Sequence, residues 1–207
     1  MPVFNFINSS CSISNDIIYK NGRELFRMSA GTPVPDFLNA AYTAVGLNYP
    51  KFYKMDNLSK LGWMASEILL LNTFDTGRYK PEEVGIVMAN SHASLDTDLK
   101  YFESTRSFAS PSLFVYTLPN IVMGEICIRN KFKGENAFFL QESFDPEFLE
   151  QYVNQLLNSN ILQACICGWV DVLKQDYEAC LFLVEKQARD LAANFTAAQL
   201  QTLKRKK

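Results

Sequence analysis

Two apolar periodicities alternate along the chain, one of strand length and one at helical spacing. Residues 84–90, VGIVMAN, are an uninterrupted apolar run of the kind that forms a central parallel strand. Residues 161–173, ILQACICGWVDVL, predict a second buried strand. A third, 178–186 (EACLFLVEK), follows the short turn Lys174-Gln175-Asp176. So short a link leaves no room for a crossover, so these last two strands are predicted to be antiparallel neighbours. Mixed apolar and polar positions over Pro2–Ile13 predict a first strand, and Asn21-Gly22 between Ile17-Ile18-Tyr19 and Leu25-Phe26 is a hairpin signal.

Helical spacing appears between these runs. Leu58, Leu61, Met64, Ala65, Ile68, Leu69 and Asn72 predict a helix, led in by Met55-Asp56-Asn57, that is apolar on more than one side and therefore deeply buried. A short helix is predicted near Phe37–Ala44, between loops marked by Gly31, Pro33 and Pro35. Ser94 stands where a cap would precede a helix whose face includes Leu95, Leu99 and Phe102, and Ser107–Thr117 reads as loop. A helix over 120–132, entered at Pro119, is closed by Lys131, Lys133 and Gly134. Gln187–Lys207 predicts a last amphipathic helix using Leu191, Phe195, Ala198 and Leu203.

The most informative stretch is 134–157, GENAFFLQESFDPEFLEQYVNQLL. Ala137-Phe138-Phe139-Leu140 reads as a strand, and Asp145-Pro146-Glu147 starts a helix. Asp145 is the cap, Pro146 needs no N–H partner, and Glu147 suits the positive end of the dipole. Phe148, Tyr152, Val153, Leu156 and Leu157 then recur at helical spacing. The turn between strand and helix carries Gln141, Glu142, Ser143 and Phe144 in front of free backbone N–H groups, where enzymes commonly mount a nucleophile. Strand and helix alternate through most of the chain, which predicts an α/β fold with a mostly parallel sheet.

Composition narrows the function classes. At 207 residues the length predicts one domain, or at most a domain with an appendage, that buries about 70% of its unfolded surface. A net charge of −2 offers no field for nucleic acid or an anionic membrane, and the one basic run, 204–207, reads as a solvated helix end. Five Cys, at 11, 127, 165, 167 and 180, make no metal spacing with the single His, and their scatter favours the reducing cytoplasm. No signal peptide, membrane-spanning run, phosphate-cradling Gly loop or paired metal ligands are recognised, so neither a cofactor nor a membrane is expected.

The order of the pieces resembles the N-terminal half of the thiolase-type β-ketoacyl synthase fold. The resemblance is carried by Lys54-Met55-Asp56 before the buried helix, by VGIVMAN, and by Ser110-Pro111-Ser112-Leu113-Phe114 followed by Leu118-Pro119-Asn120. Gly134 before a strand, Gly168-Trp169-Val170-Asp171, and the closing run Ala179–Glu185 complete it. It runs from about Pro2 to Lys186, which sets the expected organisation as a ketoacyl-synthase N-terminal-like domain over 1–186 and a C-terminal helix over 187–207. In that family a Gly opens the strand that ends in the nucleophilic Cys, nine positions on. Here that position is Ser143. The family's other catalytic groups, two His (or His and Asn) and a Lys, belong to a C-terminal half that these residues do not match.

The resemblance implies half of a thiolase-like fold, a mixed, mostly parallel sheet flanked by helices, without condensing activity of its own. It implies a chain-length-factor-like partner of a complete β-ketoacyl synthase in aryl-polyene or flexirubin-type pigment synthesis, with acyl carrier protein engaged indirectly. A homodimeric relative is the simpler alternative. In the family the strand leading to the nucleophile pairs across the dimer, so the resemblance implies an interface at Glu135, Asn136, Ala137, Phe138, Phe139, Leu140, Gln141 and Glu142.

Residue chemistry leaves one competing reading. Ser143, with His92 as base oriented by Asp96 or Asp98, would make a hydrolase or acyltransferase, provided the two lie within hydrogen-bond reach. A turn or capping role for Ser143 outweighs it, because the glycines of a nucleophile elbow are absent. His92 alone reads as a surface or capping residue, and Glu142 as a partner of the helix dipole. Phe108, Phe114, Phe138, Phe139, Phe144 and Phe148 read mostly as core, with part facing a partner.

Overall fold

Alternate residues of the central strands point to opposite faces of one sheet, and both faces are apolar. In the computed structural model, which describes residues 5–189 and 192–205, Ile86 and Met88 pack on one side of the sheet and Val87 on the other. Ala164 and Ile166 against Cys165 and Cys167, and Leu181 and Leu183 against Phe182 and Val184, repeat the division. Burial on both faces is why these runs are continuous in sequence rather than alternating.

The strands are β1 (Phe6–Ser14), β2 (Ile17–Lys20), β3 (Arg23–Arg27), β4 (Val84–Asn90), β5 (Asn136–Leu140), β6 (Ala164–Leu173), β7 (Asp176–Glu185) and β8 (Ala193–Asn194). They form one sheet in the order β3-β2-β1-β7-β6-β4-β5, with β8 beside β1. Helices are α1 (Val34–Ala44), α2 (Asn57–Leu70), α3 (Leu95–Ser104), α4 (Pro111–Phe114), α5 (Ile121–Asn130), α6 (Pro146–Asn158) and α7 (Ala197–Arg205). The core on one face is filled by α1, α2 and α5, and the core on the other by α6 and α7. Helix α2 is the central packing element, with Leu61, Trp63, Met64, Ile68 and Leu69 fully buried. Its first turn is closed by Asp56, whose carboxylate accepts from the Ser59 backbone N–H at 2.9 Å.

The β2–β3 hairpin at Asn21-Gly22, the antiparallel β6–β7 pair and the strand-to-helix turn capped by Asp145 match the sequence reading. The sheet is mixed, but parallel pairs are its minority. Only β4 with β5 and β4 with β6 run parallel, because helical crossovers occur only around β4; the other described pairs are antiparallel. Gly134 does not end α5, which closes on Lys131 at φ 61°. Instead it lets β5 approach β4, since a Cβ there would sit 2.5 Å from the Val84 carbonyl oxygen. At Gly168, φ is 149° and a Cβ would lie 2.0 Å from the Cys180 carbonyl oxygen, so only glycine serves in that strand pairing.

Four helical expectations need correction. Asn72 lies beyond α2 in the left-handed region, at φ 54°. Among the described residues the last helix is Ala197–Arg205 and does not begin at 187, because Ala193–Asn194 pair with β1 instead. Its buried anchors are Leu200 and, before it, Phe195; Ala198 is exposed and Leu191 lies outside the described residues. The stripe Leu95, Leu99 and Phe102 faces solvent, at 40%, 47% and 65% exposure. The inward side of α3 is polar and satisfied: Thr97 donates to Asp56 at 2.6 Å, and Asp96 accepts from the Lys174 backbone N–H at 3.0 Å.

Candidate functional site

The parallel strands β4, β5 and β6 end on the same side of the sheet, and the segments that follow them share one cleft of about 810 Å³. His92 lies just beyond β4, Glu142, Ser143 and Phe144 form the turn between β5 and α6, and Trp169 and Asp171 come from β6. The His92 loop is fixed from beneath by Asn90, which is fully buried. Its side chain accepts from the Ala93 backbone N–H at 3.0 Å and donates to the Ala93 carbonyl at 2.9 Å, with Ala93 held at φ 49°. The Asn90 carbonyl accepts from the Gln141 backbone N–H at 3.0 Å, which ties this loop to the α6 turn.

His92 is oriented by Asp171. Its Nδ1 lies 2.7 Å from Asp171 Oδ2, and its backbone N–H donates to Asp171 Oδ1 at 3.2 Å. The Ser91 hydroxyl also donates to Asp171, at 2.8 Å. An ionised carboxylate only accepts, so the neutral ring carries its proton on Nδ1 and keeps a lone pair on Nε2. Asp96 and Asp98, named from sequence as orienting acids, are engaged elsewhere, Asp96 with Lys100 at 2.6 Å and Asp98 with Ser94 at 3.2 Å. The third group was hidden because Asp171 stands 79 residues from His92 in the chain.

Ser143 is exposed and lines the same cleft, yet no hydrogen bond joins it to His92 among the described residues. Its expected capping role belongs to Asp145, which accepts from the Phe148 backbone N–H at 2.9 Å. Glu142 is likewise exposed at the cleft wall. Lys204, which reads as a solvated end, is anchored: its ammonium stands 4.9 Å from the Phe144 ring centre, 5.7 Å from that of Trp169 and 3.0 Å from the Glu178 carboxylate.

A second feature flanks this turn. Strand β5 is a sheet edge, hydrogen-bonded only to β4 among the described strands. Leu140 is 62% exposed, and Ala137, Phe138 and Phe139 are half-buried. Phe139 meets Phe148 and Tyr152 edge-on at 4.8 and 5.0 Å, so an aromatic cluster from α6 continues the strand's surface. None of the six phenylalanines read mostly as core is fully buried, and Phe108 is 78% exposed. Helices α3 and α4, bridged by Tyr101 and Phe114 at 5.4 Å, hold several of the exposed apolar side chains.

No protein-family model matches this chain, and no curated protein does. Solved structures do match. A chain of the ishigamide ketosynthase/chain length factor superposes with a TM-score of 0.62 at 16% identity, over 88% of this chain and 62% of that one. The fold is thiolase-like. A type II polyketide synthase acyl-carrier protein in complex with its ketosynthase bound to the hexaketide gives 0.61 at 14% identity, over 89% of this chain and 63% of the other. A ketosynthase, ApeO, in complex with its chain length factor, ApeC, from Xenorhabdus doucetiae gives 0.55 at 11%, over 91% and 81%. The chain thus spans 62% and 63% of the first two. These identities carry the ketosynthase-like architecture and leave the chemistry to this chain's own residues.

Proposed function

We propose that this chain is a ketoacyl-synthase-like subunit, chain-length-factor-like, that pairs with a complete ketosynthase and performs no condensation itself. The observation that carries the reading is the contrast between the two sheet edges. At one edge, β3 (RELFR) is guarded by charge, with Arg27 and Glu24 paired at 3.0 Å in solvent. At the other, β5 (NAFFL) leaves its outer backbone groups open beside exposed Leu140 and the aromatic cluster of α6. An unguarded apolar edge is a template for a strand from another chain.

The turn that follows supports the rest. Ser143 occupies the place where the resemblance implies a thiol, and a hydroxyl without a base in hydrogen-bond reach is a poor acyl acceptor. The exposed side chains of α3, α4 and the turn after α4, Phe102, Phe114 and Leu118 among them, supply apolar surface for covering a partner's acyl cavity. The pathway this implies is polyene pigment synthesis on acyl carrier protein in the cytoplasm. All five cysteines are free thiols, as a reducing compartment requires.

The test is co-expression with complete ketosynthases of polyene pathways and capture through this chain. The expected outcome is a one-to-one complex that survives size exclusion. A chain that stays a monodisperse monomer beside every such partner would count against pairing, and a stable self-dimer that ignores them would favour the homodimeric relative.

A further inference from the structure

We propose that the cleft holding His92, Asp171 and Ser143 hydrolyses neutral acyl esters and thioesters, with His92 as general base. This goes beyond the pairing role and does not depend on it. The base is already set: Asp171 holds Nδ1 at 2.7 Å and the His92 backbone N–H at 3.2 Å, while Asn90 fixes the loop. Nε2 takes no part in the described contacts, and the side chain is 38% exposed at the mouth of the cleft. Ser143 lines the same cleft, and its hydroxyl has no partner of its own among the described residues. A base with a free lone pair and an uncommitted donor, opening into one cleft, are the parts that hydrolysis of a carbonyl needs.

The step balances without a further reagent. Nε2 takes a proton from water, and the water oxygen bonds to the carbonyl carbon. The Ser143 hydroxyl donates to the carbonyl oxygen as it gains charge. Collapse breaks the bond from that carbon to the leaving oxygen or sulfur, which takes the proton back from Nε2. Water is the nucleophile because no hydrogen bond couples Ser143 to His92. The walls select the substrate: Asp16, Glu142, Asp176 and Glu178 repel anions, and the ammonium of Lys204 is engaged by Glu178, Phe144 and Trp169. Phosphoesters and free carboxylates are therefore disfavoured, while Phe144 and Trp169 offer apolar surface to an acyl group.

The purified chain is offered p-nitrophenyl butyrate and the butyryl thioester of N-acetylcysteamine. Turnover above that of the heat-denatured protein is expected, falling about 1,000-fold in His92→Gln and about 100-fold in Ser143→Ala. In the unaltered chain kcat/KM should depend on pH, because only the unprotonated base can take the proton of water. The other titratable groups facing the cleft are Asp16, Glu142, Asp176, Tyr177, Glu178 and Lys204. Asp171→Asn should displace that profile, which a purely structural Asp171 would not do. Absence of turnover, an unchanged rate in His92→Gln, or a flat pH profile overturns the proposal. The profile needs no variant, so a misfolded substitution cannot rescue it. Pairing with a ketosynthase is read by co-purification, so the two proposals fail separately.

Discussion

The ammonium of Lys204 stands over the ring of Phe144, 4.9 Å from its centre. That contact fastens the last helix to the turn in front of α6. Glu178, 3.0 Å away on β7, completes the clasp. Beneath it, Leu200 and Phe195 join Leu149, Val153 and Phe182 in the second core, so α7 covers sheet and α6 surface.

Removing the clasp should loosen α7 without unfolding the sheet. Lys204→Met is expected to cost about 1 kcal/mol, which lowers Tm by about 3 °C in a chain of this size. Leu200→Ala leaves a buried cavity and should cost about 3 kcal/mol. Calorimetry that finds Lys204→Met as costly as Leu200→Ala would show that the cation contributes more than a local contact.

These cases show where the sequence is legible and where it is not. The runs at β4, β6 and β7 were readable because burial on both faces demands unbroken apolar sequence, and the α6 start because Asp145-Pro146-Glu147 is a local signal. Leu95, Leu99 and Phe102 misled because spacing reports that a helix has an apolar stripe, not which side the sheet takes. Buried Asp96 and Thr97 had won the inner side through hydrogen bonds to Lys174 and Asp56. Asp171 beside His92 and Lys204 over Phe144 are long-range pairings with no periodic trace. The parallel bias failed for a related reason, since strand runs do not state their direction unless the link between them is short.

Leu140 separates assembly from folding. At 62% exposure it contributes little to the isolated chain, so Leu140→Lys should change stability by less than about 0.5 kcal/mol. A lysine on the open edge should nevertheless block strand addition. Co-purification with a ketosynthase is expected to fall at least about tenfold, a loss of about 1.4 kcal/mol. Unchanged capture would move the interface away from β5.

Asp56 should tolerate loss of charge but not loss of its oxygens. It accepts from the Ser59 backbone N–H at 2.9 Å and from the Thr97 hydroxyl at 2.6 Å. Withdrawal from water raises its pKa, the nearby Asp96 adds to this, and the two hydrogen bonds only partly oppose it. The ionised form is thus disfavoured in the folded state, so this group's contribution weakens as pH rises above 3.8. At pH 7 Asp56→Asn should match or exceed the unaltered protein, and Asp56→Ala should cost about 1.5 kcal/mol. Denaturant titrations of both variants decide it, and an Asn variant as unstable as the Ala variant would refute the charge penalty.

Glu185 has the opposite sign. Its side chain is 1% exposed, and burial alone would raise its pKa. Arg189 grips it through two bonds of 2.7 and 2.6 Å, and Tyr79 and Asn8 each donate at 2.6 Å. Together they outweigh burial and hold the carboxyl below its ordinary 4.5. A depressed folded pKa means stability that is fully present above 4.5 and lost as pH falls through the folded value. Glu185→Gln should therefore cost about 2 kcal/mol at pH 7 and progressively less in acid, where the native carboxylate is itself protonated. Tyr79 answers at the other end. Burial first, then Glu185, pushes its pKa up to about 12, so its neutral form is favoured in the folded state and stability falls as pH rises above 10. Guanidinium unfolding of the two proteins at pH 7 and pH 3 checks the acid limb. A gap between them that is equally wide at both values would show that Glu185 acts through shape and not through charge.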